Sequence, residues 1–66
     1  MKIKQGQKVA VQSNRGRYNA VADKDLDTAK DSVYSLRVDQ DKPVDGSFQR
    51  GDTLNESSQG CLITKR

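Results

Sequence analysis

The chain has no histidine, no tryptophan, one cysteine, one proline and three aromatic residues in all. Each shortage excludes something. Without histidine the usual general base and the usual catalytic triads are missing. A lone cysteine, Cys61, cannot close an intramolecular disulfide, and without histidine it cannot complete a zinc site. Small secreted domains offset a thin core with several disulfides; their absence makes a reducing cytoplasm the expected setting. Long apolar runs are lacking too. The longest are three residues, Val9-Ala10-Val11, Ala20-Val21-Ala22 and Cys61-Leu62-Ile63, against the roughly 20 that a membrane span requires. Met1-Lys-Ile-Lys-Gln does not read as the start of a secretory leader.

Apolar material of any kind is scarce. Of 66 residues, only thirteen are Leu, Ile, Val or Phe, which borders on the composition of chains that fail to fold. One small domain, 1–66, is the expected organisation. Its apolar burial barely offsets chain entropy at this length, so a partner, a ligand or self-association is expected to add stability. A ligand pocket of ordinary size, about 300–1,000 Å³, competes for the same few side chains. The chain is therefore expected to be a binding module and not an enzyme, with no cofactor and no metal.

Charge is abundant and unevenly distributed. The net charge is +3. Residues 1–24 carry Lys2, Lys4, Lys8, Arg15, Arg17 and Lys24 against Asp23 alone. Residues 25–56 carry seven aspartates and Glu56 against Lys30, Arg37, Lys42 and Arg50. A basic head next to an acidic middle gives a field with direction.

The pattern along the chain is that of short strands. Val9 and Val11 fall at a period of two, and Ser13-Asn14-Arg15-Gly16 reads as a turn. Residues 17–22 return as the second strand. With Gly16 as a bulge residue, Ser13 would oppose Arg17, Val11 would oppose Asn19 and Val9 would oppose Val21. One face would then hold Val9, Val11 and Val21, and the other Lys8, Ala10, Gln12, Tyr18, Ala20 and Ala22. Lys2 and Lys4 would join the second face if the strand extends backward and Gly6 does not bend it. Tyr34, Leu36 and Val38 alternate with Ser35, Arg37 and Asp39, a half-buried strand; the rival is a helix near 25–37. Pro43 and Asp45-Gly46 mark a break, Gly51-Asp52 another, residues 55–60 a polar loop, and residues 61–65 a closing strand. The expected fold is all-β, a small SH3-like or OB-like barrel of four to five short antiparallel strands. The alternative is α+β with one helix near 25–37.

Several motifs bear on chemistry. Asp23, Asp25, Asp27 and Asp31 have the spacing of ligands in a calcium loop, yet Thr28 stands where the glycine belongs and Tyr34 where the bidentate glutamate belongs. A solvated acidic loop is the expected reading. Arg50-Gly51-Asp52 is read as a turn, and Asn55-Glu56-Ser57 as a sequon without a secretory context. Cys61, beside Leu62 and Ile63, is expected to be buried and inert. Gly6-Gln-Lys8-Val-Ala-Val11 followed by Gly16-Arg-Tyr18 resembles the opening of a fascin-like β-trefoil repeat. The likeness stops at Asn19, where that family has a hydrophobic residue. It implies a shared hairpin, with no actin or carbohydrate binding carried over.

The constellation with the most to offer is Tyr18 among cations. A strand face with one aromatic ring and several positive charges suits single-stranded DNA or RNA, the ring stacking on a base and the cations meeting phosphates. The candidate nucleic-acid contacts are Lys2, Lys4, Lys8, Arg15, Arg17 and Tyr18. The alternative is a protein-interaction module, an inhibitor, adaptor or small subunit, with a protein partner or a second copy of the chain. No membrane contact is expected.

Overall fold

The computed structural model describes residues 1–42 and 48–66. Its described elements are strands alone: β1 (Lys2–Ile3), β2 (Lys8–Ser13), β3 (Gly16–Ala22), β4 (Leu26–Asp27), β5 (Val33–Val38), β6 (Thr53–Ser57) and β7 (Leu62–Lys65). The main sheet has the order β6-β5-β3-β2-β7, antiparallel throughout, and β1 pairs with β4 in a separate ribbon. The fold is therefore all-β, as expected. The helix considered near 25–37 is absent, and β4 and β5 occupy that stretch. The break read at Pro43 and Asp45-Gly46 lies outside the described residues.

The sheet curls because of how its edges are joined. β6 and β7 are consecutive in the chain yet lie at opposite edges. Edges of a flat five-stranded sheet would sit about 19 Å apart at ~4.8 Å per strand. The link from Ser57 to Leu62 reaches at most about 17 Å when fully stretched, and this one is a turn with Gly60 at φ +80°. The edges are drawn together and a small barrel results. β2, β3, β5 and β6 follow one another as a meander and β7 returns beside β2, the order of a small β-barrel-like fold.

The β2–β3 register differs from the one expected. Ser13 pairs with Gly16, Val11 with Tyr18 and Val9 with Ala20, so only Asn14 and Arg15 lie between the strands. Neither takes a positive φ; Gly16 does, at +107°. The connection is thus not the type I′ turn that most two-residue hairpins use. A one-residue change in register turns a whole strand over. Tyr18, Ala20 and Ala22 point into the core, and Val21 lies half-buried on the outside. The bulged register would have turned Arg17 and Asn19 inward, burying a cation and an amide, which is far costlier than burying Tyr, Ala and Ala.

The core gathers Val9, Val11, Tyr18, Ala20, Ala22, Tyr34, Leu36, Val38, Leu54 and Ile63 from the inner face of the sheet, with Cys61 from the turn before β7. Ile3 and Leu26, paired across the β1–β4 ribbon, belong to the same core. Gly6, at φ +88°, separates β1 from β2, so Lys2 and Lys4 do not continue the β2 face. β6 takes in residues 55–57, the first half of the polar loop expected at 55–60. Its single apolar residue, Leu54, alternates inward with Glu56, and an inward carboxylate hides the strand pattern.

Two substitutions separate the inner from the outer face. Leu36→Ala empties a fully buried site and should lower stability by about 2–5 kcal/mol. Val21→Thr, on the outer face, should stay within about 0.5 kcal/mol of the parent. Urea unfolding followed by circular dichroism measures both, and equal losses would contradict the register.

Candidate functional site

The six residues singled out in the sequence do not share one surface. Tyr18 is 3% exposed. Its hydroxyl donates to Glu56 Oε2 at 2.5 Å, so it cannot stack on a base, and the assignment of Tyr18 to a binding surface is corrected. Arg15, at the tip of the β2–β3 hairpin, lies with its Nε 3.6 Å from Glu56 Oε1 and its guanidinium 4.9 Å from the centre of the Phe48 ring. Lys2 and Lys4 flank a shallow depression shared with Asp25, Asp27 and Asp31, and Lys2 is in register with Asp27. Acidic neighbours surround these two lysines. Of the six, only Lys8 and Arg17 stand on the outer face of the main sheet without an ion pair among the described residues.

Beneath the hairpin tip lies a buried polar cluster. Glu56, 7% exposed, accepts from Tyr18 and from Ser13 Oγ at 2.9 Å, and Ser13 Oγ in turn accepts from the Arg15 backbone N–H at 3.1 Å. A buried carboxylate is tolerable only when its oxygens are satisfied, and three different strands or turns converge to do so. Burial, reinforced by the Glu56 charge, pushes the Cys61 thiol up to about 11. Burial also raises Tyr18, with the Glu56 hydrogen bond adding to it. This cluster holds the barrel together; with Cys61 in its neutral form, it has no activated nucleophile.

The aspartates are likewise committed to structure. Asp23 pairs with Arg37 at 2.5 Å. Asp25 accepts from the Gln5 N–H at 2.7 Å, Asp27 from the Ala29 N–H at 2.9 Å, and Asp31 from the Asp27 N–H at 2.8 Å. The Ala29 N–H holds the Asp27 carboxyl below its usual range. Among the described residues no cluster of carboxylates and thiols is arranged to hold a metal ion. On the far side, Arg66 donates to the carbonyls of Val9 and Ala20 at 2.8 and 2.9 Å and to Asp39 at 2.9 Å. Asp39 also takes Arg50, and these two guanidinium groups, Arg66 foremost, depress its carboxyl.

What remains open is the outer face of β3, β2 and β7. A depression of about 450 Å³ there is lined by Ala10, Gln12, Arg17, Asn19, Gln40, Leu62 and Thr64, among others. Its shape follows from β2, where Ala10 lies between the long side chains of Lys8 and Gln12. Asn19 and Thr64 stand on either side of Ala10, and Arg17 and Leu62 on either side of Gln12, in cross-strand register. Leu62 is 67% exposed. Gln40 accepts from the Asn19 N–H at 3.0 Å and closes one rim. Sequence reasoning reached Lys8 and Arg17 but passed over Gln12, Asn19, Leu62 and Thr64. Neutral polar residues scattered over three strands form no local pattern. The small Ala10 between two long polar residues was the available signal.

Comparison with known protein families, curated proteins and solved structures finds no match to this chain. Among the described residues no helix is long and apolar enough to cross a membrane.

Two outcomes follow from the buried cluster. Tyr18→Phe removes a donor to a buried carboxylate and should cost about 1–3 kcal/mol, measured by thermal and urea unfolding. Raising pH should also destabilise the fold. The unfolded thiol ionises near its ordinary value of 9.0 while the folded thiol resists to about 11. The neutral form in both states leaves stability intact below pH 9, and stability falls as pH rises from there through 11. A pH series of melting curves, repeated on Cys61→Ala, checks this: the Cys61→Ala series should show a shallower fall, the remainder belonging to the two buried tyrosines, Tyr18 and Tyr34, both raised by burial.

Proposed function

We propose that the protein is a non-enzymatic interaction module that docks a partner protein on the outer face of β3, β2 and β7. The observation that carries this is the depression around Ala10, open to solvent and edged by unused polar side chains and an exposed leucine. Shape, hydrogen-bonding capacity and an apolar anchor together are what a small protein-docking surface needs. The aromatic residues favour this reading over base stacking. Tyr18 and Tyr34 are buried, and Phe48 is half-buried against Arg15. A reducing, cytoplasmic setting accords with a single buried thiol.

A second reading, single-stranded nucleic acid, keeps support from one observation: Lys8 and Arg17 project from the same face without an ion pair among the described residues. Phosphates would suit them. Such binding should fall steeply with salt, and each lost cation should reduce the salt slope by about one.

A photo-reactive amino acid placed at Asn19 or Thr64, in cells that make the protein, distinguishes the readings. Both positions should capture the same protein, and the exposed loop position Lys30 should not. Ala10→Arg, which fills the depression without touching the core, should abolish capture. Adducts to nucleic acid from the face would favour the second reading, and equal capture from Lys30 would overturn the first.

A further inference from the structure

We infer that the occupant of this face is an extended, acidic stretch of the partner, with a carboxylate seated on Arg17 and an apolar side chain on Leu62 and Ala10. The inference rests on the reading of the face as a protein-docking surface and names what it selects.

The first ground is the distribution of arginine partners. The chain has five arginines. Arg15 lies beside Glu56, Arg37 on Asp23, Arg50 on Asp39 and Asp41, and Arg66 on Asp39. Arg17 alone has no carboxylate among the described residues. A guanidinium presents a fork matched to an oxyanion, and this one lines the depression.

The second ground is the rest of the lining. None of the residues lining the depression is acidic. The side chains of Gln12, Asn19 and Thr64 make no hydrogen bond within the described protein, leaving donors and acceptors for a main chain that offers both at every residue. Arg17, Gln12 and Leu62 form one row across three neighbouring strands, so about 10 Å separates the arginine from the leucine at ~4.8 Å per strand. An extended chain covers that distance in about three residues. Arg17 is long enough to meet a carboxylate two residues from the apolar side chain.

The third ground separates this occupant from a second copy of the chain. The protein's own acidic segment is engaged: Asp23 holds Arg37, and Asp25, Asp27 and Asp31 each hold a backbone N–H. In a second copy these carboxylates would have to share their oxygens with the bonds they already make, whereas an acidic stretch of an extended partner brings carboxylates that hold none.

Amide-resolved NMR titration of the isotope-labelled protein tests the inference with three probes. One is a pool of octapeptides with Asp or Glu fixed two residues before Leu. The second is the same pool with Asn or Gln in place of the acid. The third is a thymidine oligonucleotide. The acidic pool should shift the amides of Ala10, Gln12, Arg17, Asn19 and Thr64. Its affinity should drop roughly tenfold or more in Arg17→Ala, the loss of one charge-assisted pair, and stay unchanged in Lys24→Ala. Equal shifts with the neutral pool would overturn the acidic assignment while leaving the docking face intact. Shifts with the oligonucleotide alone would overturn both. Concentration-dependent shifts of the same amides without a probe would assign the face to a second copy, and no response to the acidic pool would reject the inference.

Discussion

Much of this structure depends on how β2 meets β3. Two residues, Asn14 and Arg15, separate the strands, and Gly16 absorbs the strain of the reversal with a positive φ. That spacing decides which side of β3 faces inward. With it, Tyr18, Ala20 and Ala22 join Val9 and Val11 in the core, and Arg17 and Asn19 face solvent. With one more residue in the turn, the guanidinium would be buried and the tyrosine exposed. The outer face therefore owes its composition to a register chosen by the inner one.

The second constraint is the buried carboxylate of Glu56. A chain with so few large apolar residues fills part of its interior with Tyr18, Ser13 and Glu56 bound to each other. Such a cluster is tolerable only as a complete set, since a partly satisfied one is costlier than an apolar core. It ties β6 to the β2–β3 hairpin, two parts of the sheet that share no backbone pairing. Arg15 and Phe48 lie over it. The charged residues elsewhere follow the same economy. Aspartates hold turns and arginines, and Arg66 holds two strand carbonyls. The residual positive charge on the β3-β2-β7 face comes from what is left over, Lys8 and Arg17.

The strands with strict alternation were legible in the residues themselves. Tyr34-Ser-Leu-Arg-Val38 announces β5 by its alternation, and the short apolar runs Val9-Ala-Val11 and Cys61-Leu-Ile63 between turn residues announce β2 and the start of β7. β6 was not legible, because its inward positions are Leu54 and Glu56 and a buried acid looks like a loop residue until its partners are known. The candidate site was legible only in part. Lys8 and Arg17 could be found by charge. Tyr18 was drawn to the same surface by proximity in sequence, and Lys2 and Lys4 by net charge. Proximity and net charge say nothing about which face a residue occupies.

Composition and periodicity favoured an all-β class, excluded an intramolecular disulfide and located β2, β3, β5 and β7, while the rival helix near 25–37 was ruled out only by the structure. These follow from local rules, the two-residue repeat of a strand and the turn preferences of Asn and Gly, which act within a few residues. Which side chains meet was settled only in three dimensions. Arg17, Gln12 and Leu62 come from three strands, and Tyr18 and Glu56 lie 38 residues apart. Their meeting depends on register and on the curl of the sheet. Both are fixed by the cost of burying charge and by the short reach of the link between its edges, terms that exist only once distant parts of the chain are brought together.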